Sequence, residues 1–217
     1  MKYLKLFLSA VLAGVSIAIG GTVSLMVGGG VLGAALFTVG LFTVCCFGFH
    51  LFTGKVCYVF ENDRSYALGL PVIWLGNLAG TYLTALLEGL TRHGPKLREA
   101  AAALCAAKLD DSLLSLFLLG LGCNILIFIA VDGYGKNPHQ LGKYLSLFFG
   151  IMVFILCGFE HCVADMYYFS MGGVWSGAVL GRLLIITLGN CAGGVLLPLA
   201  RRAVRGKGGG AEGKTAA

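Results

Sequence analysis

Charge is the scarcest property of this chain. Asp, Glu, Lys and Arg make up 12% of its 217 residues while 58% are hydrophobic, and the mean hydropathy is +0.87. Water-soluble domains carry about a quarter of their residues charged, so an ordinary soluble globular protein is excluded. Metal and redox motifs are missing as well. The eight cysteines (Cys45, Cys46, Cys57, Cys105, Cys123, Cys157, Cys162 and Cys191) contain no C-x-x-C pair, and no Cys/His spacing matches a zinc site. Seven of them fall within or beside apolar runs, where cysteine serves as a small packing residue. Gly20-Gly21 and Gly28 to Gly30 follow an apolar helix rather than a strand, which argues against a phosphate loop. The reading therefore calls for no cofactor, no metal and no catalytic group, and the basic C-terminal tail needs no nucleic-acid partner.

What the chain has is long apolar runs. A hydrocarbon core about 30 Å thick takes about 20 helical residues to cross. Six stretches qualify: Leu4 to Val27, Val31 to Phe49, Ala67 to Leu90, Ser112 to Val131, Leu141 to Cys157 with a continuation to Met171, and Val174 to Leu199. The expectation is an all-α membrane protein with one transmembrane domain over residues 1–200 and a basic, glycine-rich tail at 201–217. The first run is too long for a signal-peptide core, lacks a cleavage site and leads directly into a second span, so it reads as a retained helix. The net charge of +6 is unevenly placed. Lys2, Lys5, Arg64, Lys136, Lys143 and the tail's Arg201, Arg202, Arg205, Lys207 and Lys214 fall on one side of six spans. Arg92, Lys96, Arg98 and Lys108 share one loop on the other. The positive-inside rule then puts both termini in the cytoplasm, in a bacterial-type inner (plasma) membrane. The basic external loop reads either as an attractor of anions or as a solvated helix balanced by Glu99, Asp110 and Asp111.

The chain also repeats itself. "LGNLAG" at Leu75 to Gly80 returns as "LGNCAG" at Leu188 to Gly193, 113 residues on. "CFGFHLFTGKVCYVF" (Cys46 to Phe60) resembles "LCGFEHCVADMYYF" (Leu156 to Phe169) at an offset of 109 to 110. Each half, about 4–90 and 112–199, holds three spans. An odd number makes the second copy enter from the opposite face, the pattern of an inverted 3+3 repeat whose substrates sit near the midplane, where matching helices are broken. The second span runs into "GFHLFTGKV" and the fifth into "GFEHCVAD", each with polar residues where an apolar helix would otherwise continue. Irregular backbone at that depth is tolerated only inside protein or against a polar cavity.

Three motifs in order, "LFTG" at Leu51 to Gly54, "GLGCNILIFIA" at Gly120 to Ala130 and "GFEHCVADM" at Gly158 to Met166, resemble the formate/nitrite transporter family over essentially the whole chain. The resemblance implies an aquaporin-like six-helix bundle with broken second and fifth helices, a homopentamer in the lipid bilayer, and passage of small monovalent anions or their conjugate acids. Formate or nitrite comes first, with hydrosulfide as an alternative. It makes His161 the central pore residue, Thr53 the loop residue that approaches it, and Asn124 the pore-lining amide. Glu160 becomes a structural loop anchor and Lys108 the external-loop lysine. Apolar constrictions fall at Phe37, Leu41, Leu51, Phe52, Ile127 and Phe154.

Elementary chemistry agrees with that reading. A bare anion crossing an apolar slit carries a large desolvation cost, and a proton removes most of it. Imidazole exchanges protons near neutral pH. The anion could therefore cross with a proton supplied through His161, or stay charged while His161 acts as hydrogen-bond donor or cation; both remain open at this point. Two competing classes remain. An aquaporin-type neutral-solute channel lacks its Asn-Pro-Ala loops here, and a membrane thiol redox enzyme would need paired reactive cysteines. The chain also departs from the family. Lys55 and Asp165 stand where asparagine is common and correspond across the repeat, which leads to the expectation of a buried Lys55–Asp165 ion pair. His50 replaces a frequent acid. Met1 to Tyr3 leave little room for an N-terminal helix before the first span. Asn77 and Asn190 are expected to bond between packed helices, and Glu88 and Arg182 to snorkel or meet another subunit.

Overall fold

The computed structural model describes residues 1–205; residues 206–217 of the expected tail, Lys207 and Lys214 among them, lie outside the described residues. Among the described residues nine α-helices follow one another: α1 (Lys2–Met26), α2 (Gly30–Phe47), α3 (Phe52–Val56), α4 (Arg64–Gly89), α5 (Gly94–Asp110), α6 (Leu113–Lys136), α7 (Gln140–Leu156), α8 (Cys162–Gly172) and α9 (Gly177–Arg205). Five of them, α1, α2, α4, α6 and α9, are long and apolar enough to cross a membrane, and α7 is a shorter apolar helix. Many large apolar side chains face outward, among them Leu8, Leu12, Leu75, Leu118 and Leu188, as lipid contact requires. The last helix runs past the expected Leu199 to Arg205, so Arg201 and Arg202 belong to it rather than to a tail.

The two halves have the same plan. In the first, α1 packs along α4 and α2–α3 form the broken span; in the second, α6 packs along α9 and α7–α8 form the broken span. Small residues let the long pairs touch backbone to backbone. A Cβ at Gly80 would strike the Val11 carbonyl, and one at Gly193 the Leu121 carbonyl. Asp63 caps α4 through the Tyr66 N–H at 2.9 Å, and Ser112 caps α6 through the Ser115 N–H at 3.1 Å.

Both breaks are built by one device. α2 ends at Gly48 and α7 just before Gly158, each glycine at positive φ (68° and 65°), a conformation L side chains avoid. In both, the following phenylalanine N–H reaches back five residues: Phe49 to the Val44 carbonyl at 2.9 Å and Phe159 to the Phe154 carbonyl at 3.0 Å. This is the Schellman way of closing orphan carbonyls. The basic loop is the helix α5, which buries Leu97, Ala101 and Cys105 and lies over α8. It is only partly the solvated helix expected from its charges.

Candidate functional site

At the centre, the start of α3 meets the start of α8. Leaving a helix at membrane depth strands backbone donors and acceptors, and one asparagine per half satisfies them. Asn77 of α4 accepts from the Phe52 N–H at 2.8 Å and donates to the carbonyls of His50 (3.0 Å) and Ala10 (2.8 Å). Asn190 of α9 accepts from the Cys162 N–H at 2.9 Å and donates to the carbonyls of Glu160 and Gly120, each at 2.8 Å. Both amides are fully buried. These are the asparagines of the two "LGN" copies. The sequence made them helix-packing residues, but their larger task is to hold the breaks open.

His161 sits between the two short helices. Its Nδ1 accepts from the Ala164 N–H at 3.1 Å and so caps α8. That bond uses the Nδ1 lone pair, so the neutral ring carries its proton on Nε2, which donates to Thr53 Oγ1 at 2.9 Å. Thr53 is fully buried and His161 nearly so. The Phe154 ring stacks on the imidazole with centroids 5.6 Å apart and 21° between planes, and Phe37 meets Phe154 edge-on at 6.1 Å. Leu41, Leu51, Phe52 and Ile127 are buried in the same apolar cluster. Asn124 is next to Thr53 and also bonds its loop. Its Nδ2 donates to the Thr53 carbonyl at 3.1 Å and faces Cys57 Sγ, so it holds the loop. Its Oδ1 is buried without a protein partner.

The charged residues pair differently from expectation. Asp165 meets Lys108 of α5 at 3.0 Å, and Lys108 also bonds Glu160. Lys55 takes part in none of the ion pairs among the described residues, so the proposed Lys55–Asp165 pair is not formed. The inverted repeat puts the equivalent positions on opposite sides of the midplane, and α5 delivers a nearer cation to Asp165. Glu160 anchors through Lys108 rather than through loop N–H groups. Burial works against the Lys108 ammonium, but the two carboxylates outweigh it and hold its pKa above the usual lysine value. Asp165 Oδ2 stays buried without a partner. His50 holds Ser9 Oγ through Nδ1 at 2.8 Å. Glu88 accepts from Thr22 at 2.7 Å and from Tyr167 at 2.7 Å, and Arg182 donates to the last-turn carbonyl of Leu109 in α5 at 2.6 Å; both bond within this chain rather than only snorkelling.

On the side where α1 begins and α9 ends, Asp132 gathers Lys136 (2.6 Å) and Arg201 (2.8 Å) and accepts from Tyr58 at 3.3 Å, and Lys2 donates to Ser65. A cavity of about 220 Å³ lies on this side, lined by Leu41, Cys45, Leu51, Lys55, Tyr58 and Tyr134 among others.

The sequence profile described as "Formate/nitrite transporter" matches residues 1–201. The chain belongs to the formate/nitrite transporter family. A probable formate transporter of Methanothermobacter thermautotrophicus is 31% identical, over 88% of this chain and 85% of its own length. The nitrite transporter NirC of Salmonella typhimurium is 30% identical, over 75% of this chain and 66% of that protein. Among solved structures, an FNT family ion channel aligns with a TM-score of 0.81 at 26% identity, covering 89% of this chain and 87% of that one. A pentameric formate channel with formate bound aligns at 0.76 and 25% identity, covering 94% and 97%. Relatives in this family are transporters and channels, and the chain is an all-α, multi-pass membrane protein of that kind rather than an enzyme.

Proposed function

We propose that the protein is a channel for small monovalent anions of weak acids, formate or nitrite foremost, which cross the apolar slit together with a proton and hydrogen-bond to His161 on the way. The observation that carries this reading is the Nε2–H of His161, 2.9 Å from Thr53 Oγ1, enclosed between Phe154 and an apolar wall. An anion without its water shell needs a donor there, and Nε2–H and the Thr53 hydroxyl can both give one. The Nδ1 bond to Ala164 favours His161 as a fixed donor over a ring that charges and discharges, because an imidazolium would break the α8 cap. The proton that neutralises the anion then comes from water in the vestibules. Asn124 Oδ1, a buried acceptor on the side chain that bonds the Thr53 loop, suits the hydroxyl of a conjugate acid. The likeness to a pentameric formate channel supports a homopentamer with a pore in each protomer, and the positive-inside rule supports cytoplasmic termini.

The test is flux of formate, nitrite, hydrosulfide and lactate into proteoliposomes as a function of pH, with an internal pH dye. Expected are flux that climbs as the pH falls and one proton entering with each anion. His161→Asn keeps an N-cap residue but is too short to reach Thr53. It should slow flux about 10- to 100-fold, the loss of one hydrogen bond to a charged group worth about 1.5–3 kcal/mol. Equal, pH-independent flux in both proteins would overturn the role of His161, and anion flux without proton entry would overturn co-transport.

A further inference from the structure

The two sides of the slit differ in what their lysines can do. On the α5 side, Lys108 is fastened to Glu160 and Asp165, so two carboxylates face one ammonium and no positive charge is left over for a ligand. On the side where α1 begins, Lys55 lies one turn after the helix break, its N–H on the Leu51 carbonyl at 2.9 Å, and lines the cavity of about 220 Å³. The acid found nearby, Asp132, is already compensated by Lys136 and Arg201. The other polar groups around Lys55 are Tyr58, Tyr134 and Cys45 in the cavity wall, the Tyr66 hydroxyl, which donates to the Lys55 carbonyl at 2.7 Å, and the His50 imidazole, which is engaged with Ser9. None of these is an anion at neutral pH. Leu41 and Leu51, expected members of the constriction, form part of the same wall. The cavity has room for roughly seven waters at about 30 Å³ each, so an arriving anion can keep part of its hydration while it meets the ammonium.

We propose that Lys55 forms an anion-capture station immediately in front of the slit, binding a small monovalent oxyanion by charge before it sheds its water; this rests on the anion-channel reading above. The station exists on one side only, because the position that corresponds to Lys55 across the repeat is Asp165. The slit is therefore loaded electrostatically from the side where α1 begins, while the other side presents a neutral to acidic mouth.

The test is binding of ¹³C-formate to the purified, assembled protein, followed by NMR, alongside formate flux in proteoliposomes. Lys55→Gln should weaken binding about fivefold, the effect of one unit charge at contact distance in water-like dielectric. Lys55→Arg should bind as wild type does, and so should Lys5→Gln, which removes the same charge from the same side outside the cavity. Unchanged binding in Lys55→Gln, with wild-type formate flux intact, overturns the station and leaves the channel reading standing. A wild type that carries neither formate nor nitrite overturns the channel reading and the station together. A second measurement needs no substitution: binding to wild type must weaken as sodium chloride is raised, and salt-independent binding overturns the station even if Lys55→Gln fails to assemble.

Discussion

The loop from Gly48 to Lys55 and the loop from Gly158 to Asp165 share a backbone and almost no chemistry. Each opens with a glycine at positive φ, bonds its phenylalanine N–H five residues back, and is held by an asparagine from the last long helix of its own half. At matching positions, however, His50 corresponds to Glu160, Leu51 to His161 and Lys55 to Asp165. Duplication preserved what the break needs, which is satisfied backbone, and the side chains were then free to diverge. The apolar Leu51 leaves α3 without a side-chain cap, whereas His161 caps α8. The role proposed for His161 rests on this difference.

The comparison breaks most visibly at Lys108, a cation bonded to the second loop that the first loop lacks. Lys108→Met would leave Glu160 and Asp165 buried with no cation, and removal of one member of a buried ion pair costs about 3–5 kcal/mol. The expected outcome is loss of folded protein, measured as yield and thermal unfolding in detergent, and near-normal stability would show that the triad is dispensable. Next come the two latches. Asn77→Ala and Asn190→Ala each orphan two backbone groups at the break, the Phe52 N–H and His50 carbonyl or the Cys162 N–H and Glu160 carbonyl, at a cost of about 3 kcal/mol. The two losses should agree within about 1 kcal/mol if the halves are equivalent in this respect; a tolerated Asn77→Ala beside a ruinous Asn190→Ala would show that only the second break needs fastening. The smallest effect belongs to Asp165→Asn. Lys108 keeps Glu160, one of two competing carboxylates disappears, and Asp165 Oδ2 has no partner to lose. Stability should change by about 1 kcal/mol or less, the scale of a hydrogen bond exchanged for a similar one. A fall as large as that of Lys108→Met would mean that Asp165, rather than Glu160, is the true counter-ion.

Spans were legible because bilayer thickness sets their length, and five of the six expected crossings are single long helices in the structure. The breaks were legible because polar residues interrupt an apolar run at one offset in both halves. Thr53 and His161, placed together by resemblance, lie 2.9 Å apart. The ion pairs were not legible. Correspondence across a repeat says which residues are equivalent, and in an inverted repeat equivalent residues are carried to opposite sides of the midplane. Pairing Lys55 with Asp165 confused the two relations. Lys108 was singled out by resemblance, but its partners escaped because α5 lies outside the repeat, so no offset points from it to α8. The latches were half legible: the "LGN" copies marked Asn77 and Asn190, and their spacing of 113 residues beside the breaks' spacing of 110 was the available hint that they served the breaks.

Each latch closes within its own half. Asn77 bonds Ala10, His50 and Phe52, all of which precede it, and Asn190 bonds Gly120, Glu160 and Cys162. A growing chain that has placed α1 to α4 in the bilayer thus already owns every partner of its first latch, before any residue of the second half is made. A helix broken in lipid is exposed only for the interval between synthesis of α3 and arrival of α4. The duplication therefore does for biogenesis what symmetry does for the pore, because it delivers the channel as two units that can each be finished in turn.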